Sequence, residues 1–202
     1  MKLYYSPAAC SLSPHIVLRE AGLPFELVLA STKTHKLPDG TDYYTINSKG
    51  QVPLLELDSG ERLTEGPAIV QYIADRVPDS KLAPPAGTMA RYRLQEWLNF
   101  ITSELHKTMG NLFNPAMPED AKPVFRERAA DKFRWVDKQL EGRSYLMGDA
   151  FSVADAYLFT MANWTQFTGI DLSGMKNLNA LQARMAARPA VQAAMRAEGL
   201  LK

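Results

Sequence analysis

One thiol stands in the 202-residue chain: Cys10, within YYSPAACSLSPH (residues 4–15). A lone cysteine cannot form an internal disulfide, and a reducing compartment suits it. Cys10 follows a short aromatic run and Ser6-Pro7, and a helix signal begins just after it. A thiolate at a helix N-terminus is stabilised by the dipole and by unpaired amides, so this placement predicts a lowered pKa and a reactive sulfur. The plainer reading of such a cysteine is a small buried apolar residue. Its neighbours Ala8, Ala9 and Ser11 are small and leave it accessible. Ser13 occupies the place where a CxxC motif has its second cysteine, so thiol–disulfide exchange here needs an outside thiol, such as glutathione.

Three further segments carry groups that fit such a ligand. In NSKGQVPLLEL (47–57), Val52-Pro53 opens a strand. Proline there suits an edge whose backbone is left unpaired, and an X-Pro bond adopts cis at low cost. A cis Pro53 would present the amide and carbonyl of Val52 to the backbone of a peptide ligand, whereas an ordinary turn proline would do nothing of the kind. In LTEGPAIVQYI, Glu65 and Gly66 sit at a helix start. Free amides there attract a carboxylate and Glu65 can hold an ammonium, which together suit the amino-acid end of a γ-glutamyl group; Glu65 alone reads as a helix-start charge. In LQEWLNFITSELHK (94–107), Asn99, Ser103 and His106 fall within a narrow stripe at ~100° per residue, flanked by Trp97, Leu98, Ile101 and Leu105. A solvated face explains such a stripe; so does a wall facing the thiol, with His106 as hydrogen-bond partner or base.

The elements that must position these groups change character along the chain. KLYY (2–5) and FELVLA (25–30) read as strands, with a helix over 13–22 between them in which Ser13 can cap, Pro14 is tolerated and Gly22 stops the helix. PLLEL (53–57) and ERL (61–63), joined by DSG, read as a hairpin, and 65–77 as a helix with Ile69, Tyr72, Ile73 and Val77 on one face. The stretch PDSKLAPPAGT (78–88) holds three prolines and a glycine and reads as a linker. Beyond it the pattern is helical throughout. FSVADAYLF (151–159) carries a capping box between Ser152 and Asp155, and 187–199 reads as a last amphipathic helix. The expected domains are 1–79 (α/β), 80–87 (linker) and 88–202 (all-helical).

Charge is nearly balanced, with 23 basic against 22 acidic residues, so nucleic acid and anionic membranes are not expected partners. No apolar run approaches the ~18 residues of a membrane span and MKLYYSPAAC makes a poor signal peptide, so a cytoplasmic location is expected. The three histidines, His15, His35 and His106, are widely spaced, and no metal site or phosphate loop is expected.

In their order and spacing these segments, from KLYYSPAACSLSPHIVLREAGLPFE to RPAVQAAMRAEGL, resemble a cytosolic glutathione S-transferase end to end, most similar to the bacterial beta class. The resemblance implies a thioredoxin-like N-terminal domain, an all-α C-terminal domain that forms the electrophile site, and a homodimer with one glutathione site per subunit. It implies that Cys10 lies near bound glutathione, that Val52 pairs with its cysteinyl backbone before cis Pro53, and that Glu65 and Gly66 hold the γ-glutamyl group. Asn99, Ser103, Glu104, Leu105 and His106 fall where the helical domain closes the site, part of that run reaching across the dimer. His35, between Lys33 and Lys36, stands where the class has a lysine near the glycine carboxylate, and Gly66 stands where many relatives have serine.

The activity so implied is conjugation of the glutathione thiol to hydrophobic electrophiles, a detoxification chemistry, with Cys10 and His106 as catalytic candidates and glutathione as co-substrate rather than cofactor. Tyr5 and Ser11 are rival activators, since other transferase classes use tyrosine or serine near the N-terminus. Met109, Phe113 and Trp164 are candidate electrophile contacts. The competing readings are a monothiol reductase that holds glutathione as a mixed disulfide on Cys10, and a non-enzymatic ligand-binding protein on a transferase scaffold.

Overall fold

The computed structural model describes residues 1–201, which divide into two compact units, 1–83 with 188–201 and 84–187. In the first unit, β1 (Lys2–Tyr5), β2 (Glu26–Leu29), β3 (Leu54–Glu56) and β4 (Arg62–Thr64) form one sheet in the order β2-β1-β3-β4. β1 runs parallel to β2 and antiparallel to β3, and β3 and β4 form the antiparallel hairpin read from the sequence. With α1 (Leu12–Glu20) crossing over between β1 and β2 and α2 (Gly66–Arg76) after β4, this is a thioredoxin-like mixed sheet. Leu3, Ile16, Val17, Leu18, Leu55, Ile69, Val70 and Ile73 are fully buried in this unit. On α2 the buried set is Ile69, Val70, Ile73 and Ala74; Tyr72 is only half-buried.

α1 starts one residue earlier than its sequence pattern suggested. Ser11, not Ser13, is at the cap, and neither side chain caps the helix. Ser11 Oγ instead closes the preceding turn, accepting from Ser6 N–H and donating to Ser6 O, both at 3.2 Å. Ser13 Oγ is buried without a hydrogen-bond partner.

The second unit is helical. α3 (Met89–Phe100) starts at Thr88, whose Oγ1 accepts from Arg91 N–H. It continues without a break as a π-helical segment, Ile101–His106, and then as α4 (Lys107–Gly110). At the entry to the π segment, Thr102 Oγ1 and Ser103 Oγ donate back to the carbonyls of Leu98 and Asn99. Such side-chain donors compete with backbone N–H groups for i−4 carbonyls, a local condition under which the ladder widens. α5 (Lys122–Gln139), α6 (Val153–Asn163), α7 (Thr165–Thr168) and α8 (Lys176–Ala186) complete the unit. α6 is buried from Val153 through Ala162, which its nearly all-apolar sequence requires. Its start is tied by Asp155: Oδ2 accepts from the Ser152 N–H and hydroxyl, and Oδ1 from Leu146 N–H, each at 2.8 Å. Burial pushes the Asp155 carboxyl up to about 6 against the pull of these donors.

The last helix, α9 (Pro189–Ala197), belongs to the first unit and packs on α1. Arg188 forks onto Glu20, Nε to Oε1 at 2.6 Å and a second guanidinium nitrogen to Oε2 at 2.8 Å. Beyond α9, the Glu198 carboxylate meets the buried His15 ring, Nδ1 to Oε1 at 2.8 Å. Arg19 Nε donates to His15 Nε2, so that nitrogen accepts and the Nδ1 proton goes to Glu198. The segment read from sequence as the end of the helical domain is thus held to the first helix by charge-assisted bonds, which hydropathy patterning does not reveal.

Candidate functional site

In the first unit the sequence candidates gather at the start of α1, the entry to β3 and the start of α2. The Val52–Pro53 peptide is cis. Cys10 Sγ donates to Val52 O at 3.2 Å, so the carbonyl is already engaged, while the Val52 N–H has no acceptor among the described residues. Cys10 itself is half-buried. The expected depression of its pKa is not found: burial pushes the thiol up to about 12, outweighing the amides of Cys10 and Ser11, and the Glu65 carboxylate adds to the rise. The amides of Leu12, Ser13 and His15 already donate to the carbonyls of Ala9, Cys10 and Ser11. The helix end therefore has no spare donors from these residues for the sulfur, and the proton stays on it.

Ala8, two residues before Cys10, adopts φ +62°, a region that non-glycine residues rarely occupy. Its N–H is held by Glu198 Oε2 at 3.1 Å, so the C-terminal segment secures the turn that carries the thiol. His35 (φ +53°) and Glu65 (φ +70°) share this unusual backbone. Three of the four such non-glycine residues thus lie in segments the sequence reading singled out, and backbone strain of this kind clusters at functional sites.

Glu65 is exposed, and its Oε1 takes the ammonium of Lys49 at 2.5 Å. Lys49 also donates to Thr64 Oγ1 at 3.0 Å. In the first turn of α2, Ala68 and Ile69 donate to Glu65 O and Pro67 has no N–H, which leaves Gly66 as the amide open to a ligand carboxylate. A Cβ at residue 66 would meet nothing within 4 Å. His35 Nδ1 donates to Gly50 O at 2.9 Å and its ring lies 4.8 Å from that of Tyr44. Gly50 has no room for a side chain, since a Cβ would sit 2.4 Å from the Tyr44 ring. Tyr5 is half-buried, with its hydroxyl pKa raised chiefly by burial.

In the second unit, Asn99 is on α3 and Ser103, Glu104, Leu105 and His106 are on the π segment. The wider turn shifts the angular spacing on which the polar stripe was reckoned. Asn99 and Ser103 are exposed. Glu104 pairs with Lys132 at 2.8 Å, and that bond holds its carboxyl below the usual carboxylate range. Leu105 and Met109 are fully buried in the core of this unit, so their side chains contribute packing. His106 Nδ1 lies 2.6 Å from the Tyr157 hydroxyl, and its ring meets Trp164 edge-on at 5.0 Å. Phe113, itself exposed, packs edge-on against Trp164 at the same distance. His106, Phe113 and Trp164 so form one aromatic group within the helical unit. Tyr157, Lys49 and Glu198 escaped the sequence reading because each acts through a partner distant in sequence.

A thioredoxin-like sheet with a cis proline beside a lone thiol is followed in the same chain by an all-helical unit. Residues 8–76 match the glutathione S-transferase N-terminal domain and residues 100–189 the glutathione S-transferase C-terminal domain. Glutathione S-transferase GstA of Escherichia coli O157:H7 is 47% identical over 200 residues, covering 99% of this chain and 100% of that one. A sphingomonad glutathione S-transferase solved with glutathione is 49% identical, with TM-score 0.95 over 99% of this chain and 100% of that one. The beta-class enzyme of Sphingomonas chungbukensis is 48% identical, with TM-score 0.96 over all of both chains. The chain belongs to the glutathione S-transferase family, among the bacterial beta-class enzymes. No helix among the described residues is long and apolar enough to cross a membrane.

Proposed function

We propose that the protein conjugates the thiol of glutathione to hydrophobic electrophiles in the cytoplasm, as a homodimer, and that Cys10 assists as a proton-bearing neighbour of the substrate sulfur. The observation that carries this reading is the pairing of a protonated Cys10 with Val52 O beside an open Val52 N–H. The open amide suits the cysteinyl backbone of an extended tripeptide, which places the ligand's sulfur on the Cys10 side. Glu65 receives the α-ammonium and the Gly66 amide the α-carboxylate of the γ-glutamyl residue. His35, with Nδ1 committed to Gly50 O, offers Nε2 toward the glycine end. If the Cys10 S–H turns from Val52 O to the substrate sulfur, it donates its one proton to the thiolate and so favours the ionised form of glutathione.

The helical unit supplies the rest: Asn99, Ser103, Glu104, the backbone at Leu105, and His106, with Phe113 and Trp164 giving the electrophile an apolar surface. In the reaction with an aryl halide, the glutathione sulfur forms a bond to the ring carbon. The halide leaves with the ring–halogen electron pair, and the thiol proton passes to solvent.

The test compares turnover on an aryl halide and on a glutathione mixed disulfide in wild type and Cys10→Ala. Conjugation that persists in the variant at a reduced rate, with exchange absent, supports the reading; an unchanged rate would remove Cys10 from it. Exchange faster than conjugation in wild type and lost in the variant would make the protein a monothiol reductase. Binding of apolar compounds with no turnover of either substrate would make it a ligand-binding scaffold.

A further inference from the structure

The carboxylate that the reading above assigns to the amino group of glutathione already holds an ammonium. Lys49 Nζ sits on Glu65 Oε1 at 2.5 Å and on Thr64 Oγ1 at 3.0 Å. This is the chemistry of a bound α-ammonium: one carboxylate, one hydroxyl, both accepting. The pair is solvent-facing, with side-chain exposures of 49% and 64%. It is therefore a weak lock, unlike the buried tie between His15 and Glu198. Lys49 lies on the loop that leads into Val52, in NSKGQVP, so the ammonium approaches Glu65 from the strand entry along which the ligand backbone is to lie. The Lys49 stem is long and flexible, and the ammonium can leave without moving the backbone.

We propose that Lys49 is an internal placeholder for the substrate's amino group, exchanged on Glu65 for the α-ammonium of glutathione when it binds. The proposal rests on the assignment of Glu65 to the γ-glutamyl end. Its consequence is selective. A ligand with an ammonium must displace Lys49 and takes over its bonds; a ligand without one leaves Lys49 in place. Lys49 thereby sets the affinity for γ-glutamyl thiols below what Glu65 alone would give, and it holds the exposed carboxylate neutralised meanwhile.

The experiment is calorimetric titration of the full-length protein with glutathione and with its analogue lacking the amino group, glutaryl-cysteinyl-glycine. Wild type, Lys49→Met and Glu65→Gln are compared. Lys49→Met keeps most of the stem and removes the charge. Competition from an exposed ion pair predicts about a two- to fivefold tighter Kd for glutathione in Lys49→Met and no change for the analogue. Glu65→Gln should weaken glutathione far more than the analogue. If Lys49→Met leaves glutathione unchanged or weakens it while Glu65→Gln still abolishes the preference for the amino group, the placeholder is refuted and the Glu65 assignment stands. If Glu65→Gln affects both ligands equally, the assignment fails and the placeholder fails with it.

Discussion

Alkylation of Cys10 offers a direct measure of how the fold treats its thiol. The folded-state pKa near 12 lies about three units above the ordinary thiol value of 9.0. At pH 7 the thiolate fraction is then about a thousandfold below that of an unperturbed cysteine. A more basic thiolate is intrinsically more nucleophilic, and a Brønsted coefficient of ~0.4–0.5 over three units returns about 16- to 32-fold. The native protein should therefore react with excess iodoacetamide about 30- to 60-fold more slowly than the same chain in urea. With one cysteine in the chain, intact mass assigns the product unambiguously. The logarithm of the native rate should climb with unit slope to the highest pH at which the fold survives, whereas the unfolded chain levels off near its ordinary pKa. Glu65→Gln should raise the native rate, because the carboxylate is one of the causes that push the thiol up. A native rate equal to the unfolded one, or a plateau below pH 8, would refute the claim that burial governs this sulfur and would restore the helix end as the dominant influence.

Other expectations follow from the supports of the site. Asp155→Ala leaves two buried amides and a hydroxyl without their acceptor, and should cost about 2–4 kcal/mol of stability in urea denaturation. Because the folded-state pKa of Asp155 lies above its ordinary value, its contribution is full below about pH 4 and is lost as pH rises through about 6. The stability gap between wild type and Asp155→Asn should narrow over that window. Gly50→Ala combines φ +64° with a 2.4 Å approach to Tyr44, and should cost about 1–3 kcal/mol while loosening the His35–Gly50 bond, seen as a weaker glutathione Kd.

What was legible in the sequence was local. β1 occupies the four residues of its aromatic run, the hairpin forms around DSG, and the change from mixed to helical texture near residue 80 falls close to the observed limit at 83. Of the candidate site, Cys10, Val52, Pro53, Glu65 and Gly66 stand out in the sequence by type and position at element ends. What was not legible depends on pairs remote in sequence. The thiol's pKa turns on burial, with Glu65, 55 residues away, adding to the rise, and its proton is held by Val52, 42 residues away. Lys49 reads as an ordinary loop lysine until Glu65 is placed beside it. The π turn arises inside a sequence with a normal helical period, and the attachment of α9 to α1 rests on Arg188–Glu20 and His15–Glu198, which no periodicity encodes.

The return of the C-terminal segment also orders events during synthesis. The thioredoxin-like unit is built from the first 83 residues but lacks the carboxylate that holds the Ala8 turn until residue 198 has been made. At ~5–20 residues per second the intervening 115 residues (198 − 83) take about 6 to 23 s. During that interval the Glu198 carboxylate is missing from both the His15 ring and the Ala8 N–H. The helical unit, contiguous over 84–187, can finish first. A nascent chain arrested before Glu198 should therefore show a fully formed helical unit and a Cys10 that reacts faster than in the finished protein.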